Sequence, residues 1–79
     1  MVNAAQIRAA RALLNWSQDE LASRANVSPR TLNYLEKEMR NPHKQTLGDI
    51  ERAFADAGIE FVASADGTVG VLLREGPMV

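Results

Sequence analysis

Two helix starts stand eleven residues apart in this chain, at Ser17 and Ser28, and the space between them holds one short helix and a tight turn. Ser17 is suited to an N-cap because its hydroxyl can accept an orphan amide of the first turn, and Glu20 three positions on can reach back to complete a capping box. Trp16 and Leu21 flank that start as a hydrophobic staple. The second start repeats the arrangement. Ser28 caps, Pro29 takes the first helical position where a missing N–H does no harm, and Val27 staples to Leu32. Asn26 falls where the chain must change direction, and Asn tolerates the left-handed backbone such a turn needs. Ala22, Ala25, Val27, Leu32 and Leu35 give two closely crossing helices a small apolar seam.

The rest of the chain reads as helix, then hairpin. Residues 3–15 are rich in alanine and place Ile7, Ala10, Leu13 and Leu14 at helical spacing. Thr46 is the candidate cap of a fourth helix, with Asp49 three residues on; its buried stripe is Leu47, Ile50, Ala53, Phe54 and Ala57, and Gly58 ends it. Beyond Gly58 the period changes. Residues 59–63 and 69–73 are short β-rich runs around Asp66-Gly67, a strong hairpin turn signal. With those two residues as the turn, Val62 pairs with Val71 and Glu60 with Leu73, while Phe61 and Leu72 share the other face, which covers the helices. Val62, Val69, Val71 and Leu73 then form an apolar face that a second copy of the chain would bury across a two-fold axis. A hairpin folded only onto its own helices is the alternative.

The expected fold is mainly α, a four- to five-helix bundle over residues 1–58 with a C-terminal β-hairpin over 59–75 and a tail at 76–79. At 79 residues one domain with a modest core is expected, so dimerisation is a plausible source of further buried surface. There is no cysteine for a disulfide or a thiolate zinc site, and no long apolar run, so a cytoplasmic location is expected. Charge is divided unevenly although the net is −1: residues 1–45 carry seven Lys and Arg against four Asp and Glu, and residues 46–79 carry two against six. The half with the paired starts is basic, which suits an anionic partner, although so small an excess gives modest non-specific affinity and shallow salt dependence.

The stretches Arg11, Ser17-Gln18, Leu21-Ala22, Asn26-Val27-Ser28, Thr31-Leu32, Leu35-Glu36 and Arg40-Asn41-Pro42 resemble the Cro and lambda-repressor (XRE) helix-turn-helix family over roughly residues 4–58. Two positions depart from its pattern: Asn26 stands for the turn Gly, and Glu38 stands for the Gly that commonly ends the recognition helix. The second departure implies either a helix running past Glu38 or a costly conformation there. The resemblance implies a bacterial or phage regulator of transcription, with the second helix of the motif in the major groove of double-stranded DNA. Carried over by position, Ser28, Pro29, Arg30, Asn33 and Tyr34 face the bases. Arg30 suits guanine O6 and N7, a pairing worth about 1–3 kcal/mol of discrimination, with a phosphate as its alternative partner; Asn33 suits adenine. Gln18, Thr31, Lys37, Arg40, Asn41 and Lys44 are the expected backbone contacts, and Arg11 and Glu36 an ion pair that fixes the recognition helix. His43, the single histidine, has no second metal ligand nearby and reads as a loop or phosphate-contacting residue.

The leading expectation is a homodimeric repressor on a palindromic operator. A second is an antitoxin or antirepressor whose hairpin or acidic fourth helix holds another protein while the motif binds its own promoter. An enzyme is the weakest, because no thiol, histidine-centred constellation or glycine-rich phosphate loop is present. No cofactor, metal or membrane contact is expected.

Overall fold

In the computed structural model, which describes residues 2–37 and 43–74, four helices are followed by one antiparallel hairpin: α1 (Ala4–Leu14), α2 (Gln18–Ala25), α3 (Pro29–Glu36), α4 (Lys44–Asp56), β1 (Ile59–Ala63) and β2 (Val69–Leu73). Expected elements in residues 38–42 and 75–79, including the path after Glu38 and the tail, lie outside the described residues.

The caps explain the short helices. Ser17 Oγ accepts from the Glu20 amide at 3.0 Å, and Ser28 Oγ accepts from the Thr31 amide at 3.0 Å. Only half of the expected capping box forms at Ser17, because the Glu20 carboxylate turns to Arg24 at 2.6 Å. Asn26 ends α2 at φ 58°, ψ 43°, the left-handed conformation its side chain tolerates, and Asn15 does the same for α1. The complete capping box belongs to α1: Asn3 Oδ1 accepts from the Gln6 amide and Gln6 Oε1 accepts from the Asn3 amide. The pattern Asn3-x-x-Gln6 was available in the sequence as its signal.

Ile7, Leu21, Leu32, Ile50 and Phe54 are the largest fully buried side chains. Trp16 stacks on Phe54 with ring centroids 5.6 Å apart, Phe61 meets Phe54 edge-on at 5.6 Å, and the Arg24 guanidinium lies 4.5 Å above Trp16. Leu13, expected in the core, is 47% exposed. It is turned well away from the stripe of Ile7, Ala10 and Leu14 and lies instead with Ala5, Ala9 and Ala12. The fourth helix also begins earlier than expected. His43 is its N-cap residue, without a side-chain cap bond, so Thr46 sits inside the first turn, where Lys and Gln have already continued the helix.

The hairpin differs from expectation by one residue of register. Ile59 pairs with Leu73, Phe61 with Val71 and Val62 with Gly70. Asp66-Gly67 marks the turn but does not fill it: the loop is the three residues 65–67, closed by the Ser64 amide on Thr68 O at 2.7 Å, with Gly67 at φ 93°. The slip moves Val71 and Leu73 to the face of Ile59 and Phe61, half-buried against the helices, and sends Leu72 outward. Val69, which pairs with Ala63, turns the same way, so Val69, Val71 and Leu73 are not on the outer face with Val62, as the sequence suggested; the outer face carries Val62 and Leu72. Gln6, only 4% exposed, fastens the hairpin to α1: its Nε2 donates to Val62 O at 3.2 Å and to Gly70 O at 3.0 Å.

Candidate nucleic-acid interface

The N-terminal half of α3 stands clear of the body. Ser28, Pro29, Arg30 and Thr31 are exposed, while Leu32 and Leu35 on the opposite side are buried in the core, where α3 packs against α1 and α2. Pro29 gives the first turn a fixed φ and has no amide to satisfy. The Ser28 hydroxyl is already engaged: besides accepting the Thr31 amide it bonds Thr31 Oγ1 at 2.8 Å, so both side chains brace the helix start. Arg30 makes no ion pair among the described residues. Its guanidinium lies 5.8 Å from the Tyr34 ring, one turn further along the same surface. Asn33 is half-buried beside it.

The far end of α3 is held by a dense polar knot. Arg11 grips Glu36 with two parallel bonds, Nε to Oε2 at 2.8 Å and Nη2 to Oε1 at 2.7 Å, and its remaining Nη1 donates to Trp16 O at 3.0 Å. Glu36 is 4% exposed and the Arg11 side chain 20%, so the carboxylate end of the pair is the buried one. Gln18 Nε2 donates to the same carboxylate at 3.1 Å, and Asn33 Nδ2 donates to Gln18 Oε1 at 3.2 Å. The Arg8 guanidinium donates to the Glu36 carbonyl, placing positive charge at the carboxyl end of α3. Sequence reasoning gave Arg8 no such role, since nothing local marks a bond that spans 28 positions.

Among the expected phosphate contacts, Thr31 and Lys37 are exposed on α3 and at its end, and Lys44 is exposed as the first residue of α4 rather than in a loop. Gln18 is half-buried in the knot. Arg40 and Asn41 lie outside the described residues. His43 is exposed beside Lys44, and a shallow polar cleft runs from Asn26, Ser28 and Thr31 to His43, Thr46 and Asp49.

Away from α3, the hairpin exposes Val62 and Leu72 on its outer face, at 37% and 54%, and Val69, at 44%, on the face toward α1. Val69 and Val71 continue onto α1 as a shallow apolar cleft of about 550 Å³, whose helical wall is Ala5, Ala9, Ala12 and Leu13. Among the described residues, no helix is long and apolar enough to cross a membrane, and no group of three or more potential metal ligands occurs.

A family model described as helix-turn-helix matches residues 7–55, a stretch that begins inside α1, contains α2 and α3, and takes in nearly all of α4. The chain is also 45% identical over 47 residues to proteins described as uncharacterized HTH-type transcriptional regulators, from Mycobacterium bovis and from two strains of Mycobacterium tuberculosis. The match takes in 60% of this chain but spans only 18% of the length of those relatives.

Proposed function

This chain belongs to the helix-turn-helix family of the XRE type, and from that premise we propose that it is a repressor of transcription that binds a palindromic operator as a homodimer, with α3 in the major groove. The observation that carries this reading is the start of α3. Four exposed residues in succession, Ser28 to Thr31, project from a helix whose other side is locked into the core and whose far end is tied by Arg11 and Glu36. Rigid presentation of this kind is what base recognition needs, because a side chain that wanders loses in entropy what its hydrogen bonds gain.

In this reading Arg30 is the principal base contact, to guanine, with Asn33 and Tyr34 further along the groove and Ser28 and Pro29 at its entrance. Gln18, Thr31, Lys37 and Lys44 then serve the phosphates, together with Arg40 and Asn41. The second copy covers the exposed apolar residues of the hairpin's outer face, Val62 and Leu72, and reaches over its edge to Val69 and Leu13. Half-sites would lie about one helical turn apart, ~34 Å. The protein would act in the cytoplasm, on the nucleoid, without a catalytic step.

Selection of bound duplexes from a random DNA library tests the proposal. We expect the purified protein to enrich a palindrome, Arg30→Ala to lose one specified base pair per half-site, and Leu72→Asp to weaken binding without changing the preferred sequence. Failure to enrich any sequence at moderate salt would sink the DNA-reading proposal. The apolar hairpin surface would then direct the search toward a foreign protein partner, as for an antitoxin or antirepressor.

A further inference from the structure

We propose that Gln18 is a positioning residue for base recognition: it passes the polarity of the buried Glu36 carboxylate to the Asn33 amide and so determines which base Asn33 accepts. This rests on the groove-reading role of α3 set out above. An ionised carboxylate only accepts hydrogen bonds, so the Gln18 amide must turn its Nε2 toward Glu36, as it does at 3.1 Å. Its Oε1 is thereby the atom left for Asn33, and Asn33 must answer with Nδ2, at 3.2 Å. Rotating either amide by half a turn would set oxygen against oxygen in a half-buried site. The source of this order is itself fixed, because Arg11 holds both Glu36 oxygens and Glu36 is 4% exposed.

The consequence lies at the free edge of Asn33. One N–H is spent on Gln18, which leaves the carbonyl oxygen and one further N–H in a fixed order. An acceptor beside a donor matches adenine N6 and N7, whereas guanine offers acceptors at both O6 and N7 and would leave the Asn33 oxygen facing another oxygen. An unrestrained Asn could swing away from the wrong base; one bonded to Gln18 meets it directly, and discrimination sharpens. Gln18 also retains a second N–H on Nε2 for a phosphate, so the positioning role does not exclude the anchoring one.

Gln18→Met and Asn33→Ala, each compared with the wild-type chain in the same library selection, distinguish this role from simple bracing of α2 against α3. Methionine preserves the length and apolar volume of the side chain while removing both hydrogen bonds. We expect the two variants to lose preference at the same base pair, about five-fold or more between adenine and the other bases, with the pair read by Arg30 unchanged. A uniform fall in affinity with every base preference intact for Gln18→Met would overturn the proposal, while leaving the DNA-reading function standing. So would loss of preference at a base pair different from the one lost by Asn33→Ala. No enriched sequence from the wild-type chain would remove this inference together with the function beneath it. Should Gln18→Met melt before it can be assayed, Gln18→Lys serves: its ammonium still donates to Glu36 but offers Asn33 no acceptor, and the same single base pair is expected to lose its preference.

Discussion

Glu36 is a carboxylate almost without access to water, and the groups around it all donate: two guanidinium nitrogens of Arg11 and the amide of Gln18. Such a charge is tolerable only while its partners remain, because an unpaired buried carboxylate has lost its hydration without replacement. Arg11→Met should therefore destabilise the fold by about 3 kcal/mol, and Arg11→Met combined with Glu36→Leu should recover a large part of that loss. Urea unfolding of the two variants beside the wild type checks this; equal losses in the single and double variants would show that the bulk of Arg11, rather than its charge, matters. The partnership of Arg11 and Glu36 was legible from the family resemblance, whereas its extension through Gln18 to Asn33 was not. Each residue there is an ordinary polar side chain in the sequence, and only the crossing of α2 over α3 brings them within bonding distance.

Local rules fared unevenly among the elements, for a physical reason. Caps act over three or four residues, so Ser17, Ser28, Asn26 and Gly58 could be assigned from their neighbours alone. Strand register is set by the loop, where Asp66-Gly67 is compatible with a two-residue turn or with the three-residue loop observed, and one residue of difference exchanges the two faces of the hairpin. The same limit applies to α4, whose start is set by helix-favouring residues ahead of Thr46 rather than by a capping side chain. The loop is steadied by the Asp66 carboxylate, which accepts the Thr68 amide at 2.9 Å; that backbone bond, with a further one from the Thr68 hydroxyl, holds the Asp66 pKa below 3.8. A carboxyl whose folded pKa is lowered stabilises fully above its unfolded value and loses that contribution as pH falls through the folded one. We expect the hairpin tip to loosen only below about pH 3.8, following the titration of Asp66, with the Thr68 amide resonance as the reporter. Asp66→Asn should abolish that titration; a Thr68 resonance that still moves in this variant would assign the effect to another group.

For the molecule as a whole, charge and apolar surface divide the work. The basic part of the chain carries α3, and the acidic remainder carries most of α4 and the hairpin, whose outward Val62 and Leu72 are poorly suited to water. In the proposed dimer, Leu72→Asp should leave the melting temperature of the monomer nearly unchanged, since Leu72 is 54% exposed, while shifting the assembly toward monomer in sedimentation equilibrium. An unaltered dimer would move the interface away from the hairpin. One further consequence follows from α1. Its first turn is bolted to both strands through Gln6, and its middle reaches α3 through Arg8 and Arg11. A helix of 11 residues, about 16 Å long, thus acts as a strut between the surface where two copies would meet and the end of the element that would enter the groove. With no hinge along that strut, the proposed dimer would be a fixed gauge. It would measure the separation of two half-sites as a caliper does, and an added or missing base pair at the operator centre would be rejected by length and rotation, however well each half-site fits.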